Sequence, residues 1–202
     1  MHPLNAYCKR ALDLVVASLG LVLLSPLLFV MALMIRLSMG SPIFFRQVRP
    51  GYHATPFTLV KFRTMTEGGS IVDPSTDAVR LTRLGRLMRK FSLDEFPQFW
   101  NVLKGEMSLV GPRPLLMEYL EYYTPEQARR HDVKPGITGW AQIKGRNTVT
   151  WEQKFLLDVW YVDHMNFWLD LRILAVTMQK VLRREGINQP GHTTMEKFGA
   201  RS

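Results

Sequence analysis

LVVASLGLVLLSPLLFVMALMI, residues 14–35, is one uncharged and mostly apolar run with a Ser25-Pro26 pair in its middle. About 22 helical residues at 1.5 Å each reach roughly 33 Å, enough for a hydrocarbon core of about 30 Å. Roughly 165 residues of ordinary soluble composition follow, so the chain reads as a globular domain fixed to a bilayer. Pro26 has no backbone N–H and its ring crowds the preceding turn, which predicts a sharp kink where a straight span would cross the bilayer centre. Ser25 is placed to satisfy part of the freed carbonyl capacity. Lys9 and Arg10 precede the run, whereas Arg36, Arg46 and Arg49 follow it, so both ends carry the cationic signature of a cytoplasmic flank. A helix that enters, breaks at Ser25-Pro26 and leaves through the same face accounts for both features. A bent single span is the alternative, and a cleaved leader fits less well because no A-x-A-like site ends the run. Asp13 is expected at headgroup level, beside a basic partner, or as a simple helix N-terminal acid.

The division that follows is residues 1–40 as a re-entrant membrane helix and 41–202 as a cytoplasmic catalytic or binding domain. Its fold class is α/β: a mainly helical compact domain with a small β-hairpin or sheet and membrane-surface amphipathic helices. With 202 residues and 47% hydrophobic content, one core plus the apolar segment is affordable and two full domains are not. Twenty-six basic against 17 acidic residues, net +9, favour an anionic partner such as lipid headgroups, nucleic acid or a phosphorylated substrate. The single Cys8 excludes an internal disulfide framework and a cysteine-rich zinc site, and His2, His53, His131, His164 and His192 show no H-x-x-x-H spacing.

PIFFRQVR (42–49) and FTLVKFRTM (57–65) read as strands around Pro50-Gly51. A period of two places Phe57, Leu59, Lys61 and Arg63 on one face. Residues 66–78 are polar and punctuated by Gly and Pro, a loop beside the site. Helices are predicted over 79–91, 97–104 with Gly105 as its stop, about 115–123, 151–162 behind a Thr150/Gln153 capping box, and about 167–184.

SLDEFPQFWNVL (92–103) carries the most informative polar constellation. A capping box from Ser92 to Glu95 would force Pro97 into the fifth helical position and forfeit a backbone bond. Starting the helix at Pro97 avoids that, leaving Asp94 and Glu95 just before its N-terminus. Adjacent carboxylates beside Arg89 and Lys90 can hold Mg²⁺ or supply a nucleophile whose ionised form the cations favour. Lys61, Arg63, Arg89 and Arg113, the last in the rigid Gly111-Pro112-Arg113-Pro114 loop, are cations able to converge on a diphosphate. KPGITG and KGRN offer backbone amides but match no P-loop. Asp158, in the apolar stretch FLLDVWYV, needs a cation or a metal, and either a structural ion pair or a site acid satisfies the pattern.

KFRTM (61–65), SLDEFPQFWNVLKGEMSLVGPRPL (92–115), KPGITGWAQIKGRN (134–147) and LDVWYV (157–162) occur in an order that resembles, nearly end to end, the bacterial sugar transferases called monotopic phosphoglycosyl transferases. The apolar run with Ser25-Pro26 is similar to that family's re-entrant helix. The resemblance implies transfer of a sugar 1-phosphate from a UDP-sugar to undecaprenyl phosphate, with release of UMP, at the cytoplasmic face of a bacterial inner membrane. It implies Asp94 as the nucleophile that forms a covalent phosphosugar, Glu95 as its assistant and Mg²⁺ at this dyad. Lys61, Arg89, Arg113 and Asp158 occupy positions needed for activity in the family, Arg63 stands where some relatives carry Lys, and Arg146 joins them as a substrate-binding cation. The tail GINQPGHTTMEKF (186–198) resembles the subgroup that handles N,N′-diacetylbacillosamine in protein glycosylation, which makes that sugar or another acetamido sugar the expected donor. The implied partners are the UDP-sugar, undecaprenyl phosphate, membrane lipid and downstream glycosyltransferases. A nucleic-acid binder or a non-catalytic scaffold would not require the intact dyad with its in-order cations, so no nucleic-acid partner is expected.

Overall fold

A computed structural model describes residues 3–66, 77–145, 149–183 and residue 198. Residues 67–76 of the expected 66–78 loop, Arg146 and most of the 186–198 tail therefore lie outside the described residues. The long helix α1 (Pro3–Met39) comes first, followed by an antiparallel hairpin of β1 (Phe44–Pro50) and β2 (Pro56–Phe62). Short α2 (Asp77–Arg80) and α3 (Arg83–Lys90) lead into a 3-10 turn at Leu93–Glu95 and α4 (Gln98–Lys104). β3 (Ser108–Val110) pairs in parallel with β4 (Gly136–Thr138), and the connection between them contains the 3-10 turn Met117–Tyr122 and the single-turn α5 (Pro125–Ala128). α6 (Trp140–Lys144), α7 (Trp151–His164) and α8 (Phe167–Arg183) complete the described order. The mainly helical class with a small hairpin matches the sequence reading, whereas the β3/β4 pair does not emerge from it. Strands of three residues are too short to show a period of two.

Pro26 lies inside α1, which is helical on both sides of Ser25-Pro26. Pro26 cannot donate to the carbonyl of Val22, and the Ser25 hydroxyl donates to that same oxygen at 2.8 Å. The serine thus replaces the lost backbone donor, and the helical ladder continues past the proline.

Both halves of α1 pack on the same globular body. Near its start, Lys9 donates to Asp170 (2.6 Å) and to the Val110 carbonyl (2.9 Å). Arg10 donates to the carbonyls of Val102 (2.7 Å) and Leu103 (3.0 Å) at the C-terminal end of α4, where cations are favoured. Asp13 takes the expected place beside a basic residue, Lys9. It is buried and accepts from Leu109 N (2.9 Å) and Ser108 Oγ (3.1 Å), so it pins α1 to β3. Toward the other end, Met31 and Ile35 are buried with Phe62 and Met88. The opposite side of α1 is apolar and exposed, with Val15, Leu19, Leu23, Phe29, Val30 and Leu37 all at least half open. Ala6–Met39 is long and apolar enough to cross a membrane by length and composition.

The main core joins Phe57 and Leu59 of β2 to Val102, Met107, Leu109, Val110, Tyr161 and Ile173. Asn101, fully buried, ties α4 to β2 by donating to the Thr58 carbonyl (2.7 Å) and accepting from Val60 N (3.2 Å). Thr82 caps α3 through Gly85 N at 2.9 Å. Gly85 is required there, because a Cβ would stand 1.9 Å from the Thr64 carbonyl oxygen. That close approach sets α3 against the end of β2.

Candidate functional site

Three elements deliver the site: the end of β2 with Lys61, α3 with Arg89, and the 3-10 turn with Asp94 and Glu95. Ser92 leaves α3 in the left-handed region (φ 55°), which reverses the chain into the Leu93–Glu95 turn. A non-glycine residue held there carries backbone strain of the sort tolerated at functional positions. Ser92 makes no side-chain cap to this turn, so the capping-box alternative is not realised. α4 begins at Gln98 with Pro97 immediately before it in helical geometry, one residue from the expected start, and Gly105 (φ 81°) ends it. The dyad consequently sits just ahead of α4.

Asp94 is buried at 6% exposure. Burial and the charge of Glu95 push its carboxyl above the ordinary range, while Lys61, Arg89 and Arg113 pull it back. Lys61 lies over the Phe45 ring at 5.2 Å, and its own burial lowers its ammonium to about 8 despite the attraction of Asp94. Arg89 Nε donates to Thr64 Oγ1 at 3.1 Å, using the close α3/β2 contact to aim its guanidinium. Arg113 forms an ion pair with Glu95, which raises the arginine further above its ordinary value. The Arg113 side chain is 48% exposed, so this pair adds little stability and is open to exchange with an incoming anion. Of the seven cations and acids proposed from sequence outside Arg146, the structure brings Lys61, Arg89, Asp94, Glu95 and Arg113 together.

Arg63 and Asp158 serve elsewhere. The Arg63 guanidinium is folded onto the end of α1, donating to the carbonyls of Met39 (2.5 Å), Gly40 (2.8 Å) and Ser41 (3.1 Å). It is a cation at a helix C-terminus, where orphan carbonyls collect, and not one aimed at the dyad. Asp158 takes the structural alternative: it accepts from Arg130 Nη2 (2.8 Å) and Nε (3.2 Å) in a pair with both side chains at most 2% exposed.

Sequence reasoning missed Arg130, which stands in the polar, charge-rich stretch PEQARRHD and looks like a surface residue. It also donates to the Arg113 carbonyl at 2.7 Å and to Tyr123 Oη at 3.2 Å, and lies against the Tyr123 and Phe155 rings. Asp158 therefore acts on the site through Arg130, which holds the backbone from which Arg113 reaches Glu95. Asp158→Asn should leave a buried guanidinium without its counter-charge and lower stability by about 3–5 kcal/mol. Denaturant unfolding of the purified variant checks this, and an unchanged midpoint would contradict it.

As for a metal, no group of three or more acidic, His or Cys side chains is placed to hold one among the described residues, so an ion at the dyad would have only Asp94 and Glu95 as acidic ligands. Mg²⁺ takes one or two carboxylates and completes its shell with water and substrate phosphates.

The chain matches a known family and several known proteins. Residues 4–184 match the family model described as bacterial sugar transferase. The uncharacterized sugar transferase EpsL of Bacillus subtilis (strain 168) is 60% identical over 191 residues, covering 94% of this chain and 95% of its own. A UDP-glucose:undecaprenyl-phosphate glucose-1-phosphate transferase of Caulobacter vibrioides is 41% identical over 185 residues, covering 86% of this chain and 69% of its own. The undecaprenyl-phosphate galactose phosphotransferase of Salmonella typhimurium is 37% identical over 200 residues, 90% of this chain but 42% of its own length. The sugars in these names are glucose and galactose, so the expected kinship with the diacetylbacillosamine subgroup finds no support here. With most of its length matched by the family model and a 60% identical relative of nearly equal extent, the chain belongs to the bacterial sugar transferase family.

Proposed function

We propose that this protein transfers a sugar 1-phosphate from a UDP-sugar to undecaprenyl phosphate, with Asp94 as the nucleophile. The observation that carries the reading is a buried carboxylate under the charge of Lys61, Arg89 and Arg113. The cations bind the donor diphosphate through charge-assisted hydrogen bonds and draw the Asp94 carboxyl back down against the effect of its burial. A carboxylate oxygen of Asp94 attacks the phosphorus that bears the sugar. The bond from that phosphorus to the bridging oxygen breaks, and UMP leaves with the electron pair. An oxygen of undecaprenyl phosphate then attacks the same phosphorus, releasing the Asp94 carboxylate and the lipid diphosphate sugar. Diphosphate binding at Arg113 displaces Glu95 from its ion pair and frees that carboxylate to assist beside the reacting phosphate. Mg²⁺ held by Asp94 and Glu95 would neutralise phosphate charge. The related proteins' names favour a neutral hexose donor, and the tail's likeness to the diacetylbacillosamine subgroup keeps an acetamido sugar as the competing choice.

The membrane seat follows the same reading. We take α1 to be re-entrant, because Lys9 and Ile35 both pack on one body although about 26 residues, roughly 39 Å of helix, separate them. The exposed apolar face of α1 then lies in lipid and the dyad stands near the headgroup plane, on the cytoplasmic side.

Three outcomes are expected. Enzyme given a UDP-sugar and Mg²⁺ without lipid should release UMP and gain one phosphosugar mass on the peptide containing Asp94, and undecaprenyl phosphate should discharge it. Asp94→Asn should abolish both adduct and turnover; normal turnover by that variant, or UMP release only when both substrates are bound, would favour direct attack by the lipid phosphate. Running UDP-glucose, UDP-galactose and UDP-N,N′-diacetylbacillosamine side by side identifies the donor.

For pH, kcat/KM should rise through a midpoint above about 3.9, the ordinary aspartate value, as Asp94 ionises. It should fall near pH 8 as Lys61 loses its proton. Lys61→Arg keeps the charge throughout, so a falling limb that persists unmoved near pH 8 in this variant would assign it to another group.

For topology, single cysteines at positions 5 and 42 should react with an impermeant thiol reagent only from the cytoplasmic side. Labelling of either from the other side would exclude re-entrance.

A further inference from the structure

On the far side of the hairpin from the dyad lies a groove of about 610 Å³, a size within the roughly 300–1,000 Å³ typical of ligand cavities. Three elements each give it one face. α1 contributes Leu28 and Phe29, the hairpin contributes Arg46, Val60 and Phe62, and α4 contributes Trp100 and Lys104. Side chains alternate across a strand, so Lys61, between Val60 and Phe62, points to the opposite face with the dyad. Neither Asp94 nor Glu95 lines the groove, which comes nearest to them along the chain at Pro97.

Its polarity is graded along the strands. At one end Phe62 stacks on Phe44 at 5.3 Å, next to the part of α1 whose outer face is apolar and exposed. Toward the other, Arg46 stands opposite Val60 in the hairpin register, and Lys104 ends α4 beyond Asn101, which is bonded to Thr58. No carboxylate is among the described residues that line it. Lys104 reaches Glu106 at 2.7 Å just outside, and this half-exposed pair offsets only one of the two cations. Phe29 (71% exposed) and Trp100 (56%) leave large apolar surface open at the rim, as a groove filled by an acyl chain requires.

We propose that this groove holds one anionic phospholipid, its phosphate between Arg46 and Lys104 and an acyl chain along Leu28, Phe29, Phe62 and Trp100. The complementarity of two cations at one end with an apolar trough at the other selects a molecule having both parts. A soluble phosphate would leave the trough empty, and a zwitterionic lipid would bring a cation to face Arg46. The lipid fills the cleft between α1 and the hairpin and so adds to the packing that sets the membrane segment against the catalytic body. This assignment is independent of the transfer reaction.

The test uses the full chain purified in mild detergent, with phosphatidylglycerol or phosphatidylcholine added and bound lipid counted by native mass spectrometry. Wild-type protein should retain one phosphatidylglycerol per chain and bind phosphatidylcholine at least about tenfold more weakly, the loss expected for a missing charge-assisted contact. Arg46→Gln with Lys104→Gln should remove that preference. Arg83→Gln with Arg86→Gln, equal in charge and exposed on α3, should not. Val60→Trp, which fills the trough without changing charge, should also expel the lipid. Equal retention of the two lipids, equal loss in the α3 control, displacement of the lipid by inorganic phosphate, or a second copy of the chain in place of lipid would each overturn the proposal. Should Val60→Trp fail to fold, as its circular dichroism would show, the charge variants decide alone.

Discussion

The docking of an apolar helix onto a globular body through polar anchors at both of its ends is the constraint on which the remaining structure depends. Lys9, Arg10 and Asp13 are charged groups in or beside an apolar segment, and each finds a partner on the body: Asp170, the last carbonyls of α4, and the β3 backbone. At the other end Arg63 reaches back from the hairpin to the terminal carbonyls of α1. Charges in low-dielectric surroundings are costly unless paired, so these contacts tolerate few alternative arrangements. Between them the opposite side of α1 is left apolar and exposed, and the position of the Leu93–Glu95 turn relative to that face is set by the same docking.

Around the dyad, charge is arranged by different means at different positions. Lys61 is lowered by its own burial, Arg89 is steered by Thr64, and Arg113 is held through its backbone by Arg130 and through its side chain by Glu95. The buried pair of Asp158 and Arg130 does not touch the dyad, but it fixes the loop from which Arg113 projects. Two prolines stiffen that loop from within, and Arg130 ties it to α7 from outside. This anchoring fixes the Arg113 backbone and leaves the half-exposed Arg113–Glu95 contact as the more exchangeable part.

Much of the architecture is legible in the chain because it depends on local signals. The hairpin around Pro50-Gly51, the Thr150/Gln153 capping box, the Gly105 stop and the apolar run each fall where neighbouring residues place them. Asp94 and Glu95 are legible for the same reason: Pro97 forces the start of α4 and leaves the carboxylates just ahead of it. The β3/β4 pair is not, because its parallel strands are separated by more than two dozen residues and each is only three long. Pro26 is an intermediate case. Its disruptive effect follows from its ring, but whether the adjacent serine restores the missing bond depends on a rotamer that only the folded helix chooses.

Residue type and spacing determined that this protein has an apolar segment, a carboxylate pair ahead of a helix and a surplus of cations, since those properties are carried by side chains and their near neighbours. Which cation meets which anion was decided by tertiary structure. Lys61 and Arg63 are two residues apart, yet the end of β2 sends one to Asp94 and the other to the carbonyls of α1. Arg130 and Asp158, 28 residues apart, become a buried pair because α7 packs beside the turn that carries Arg130. Coulomb attraction is blind to order along the chain and steep in distance, so a charge pattern in sequence specifies the available partners, and only the packed backbone selects among them.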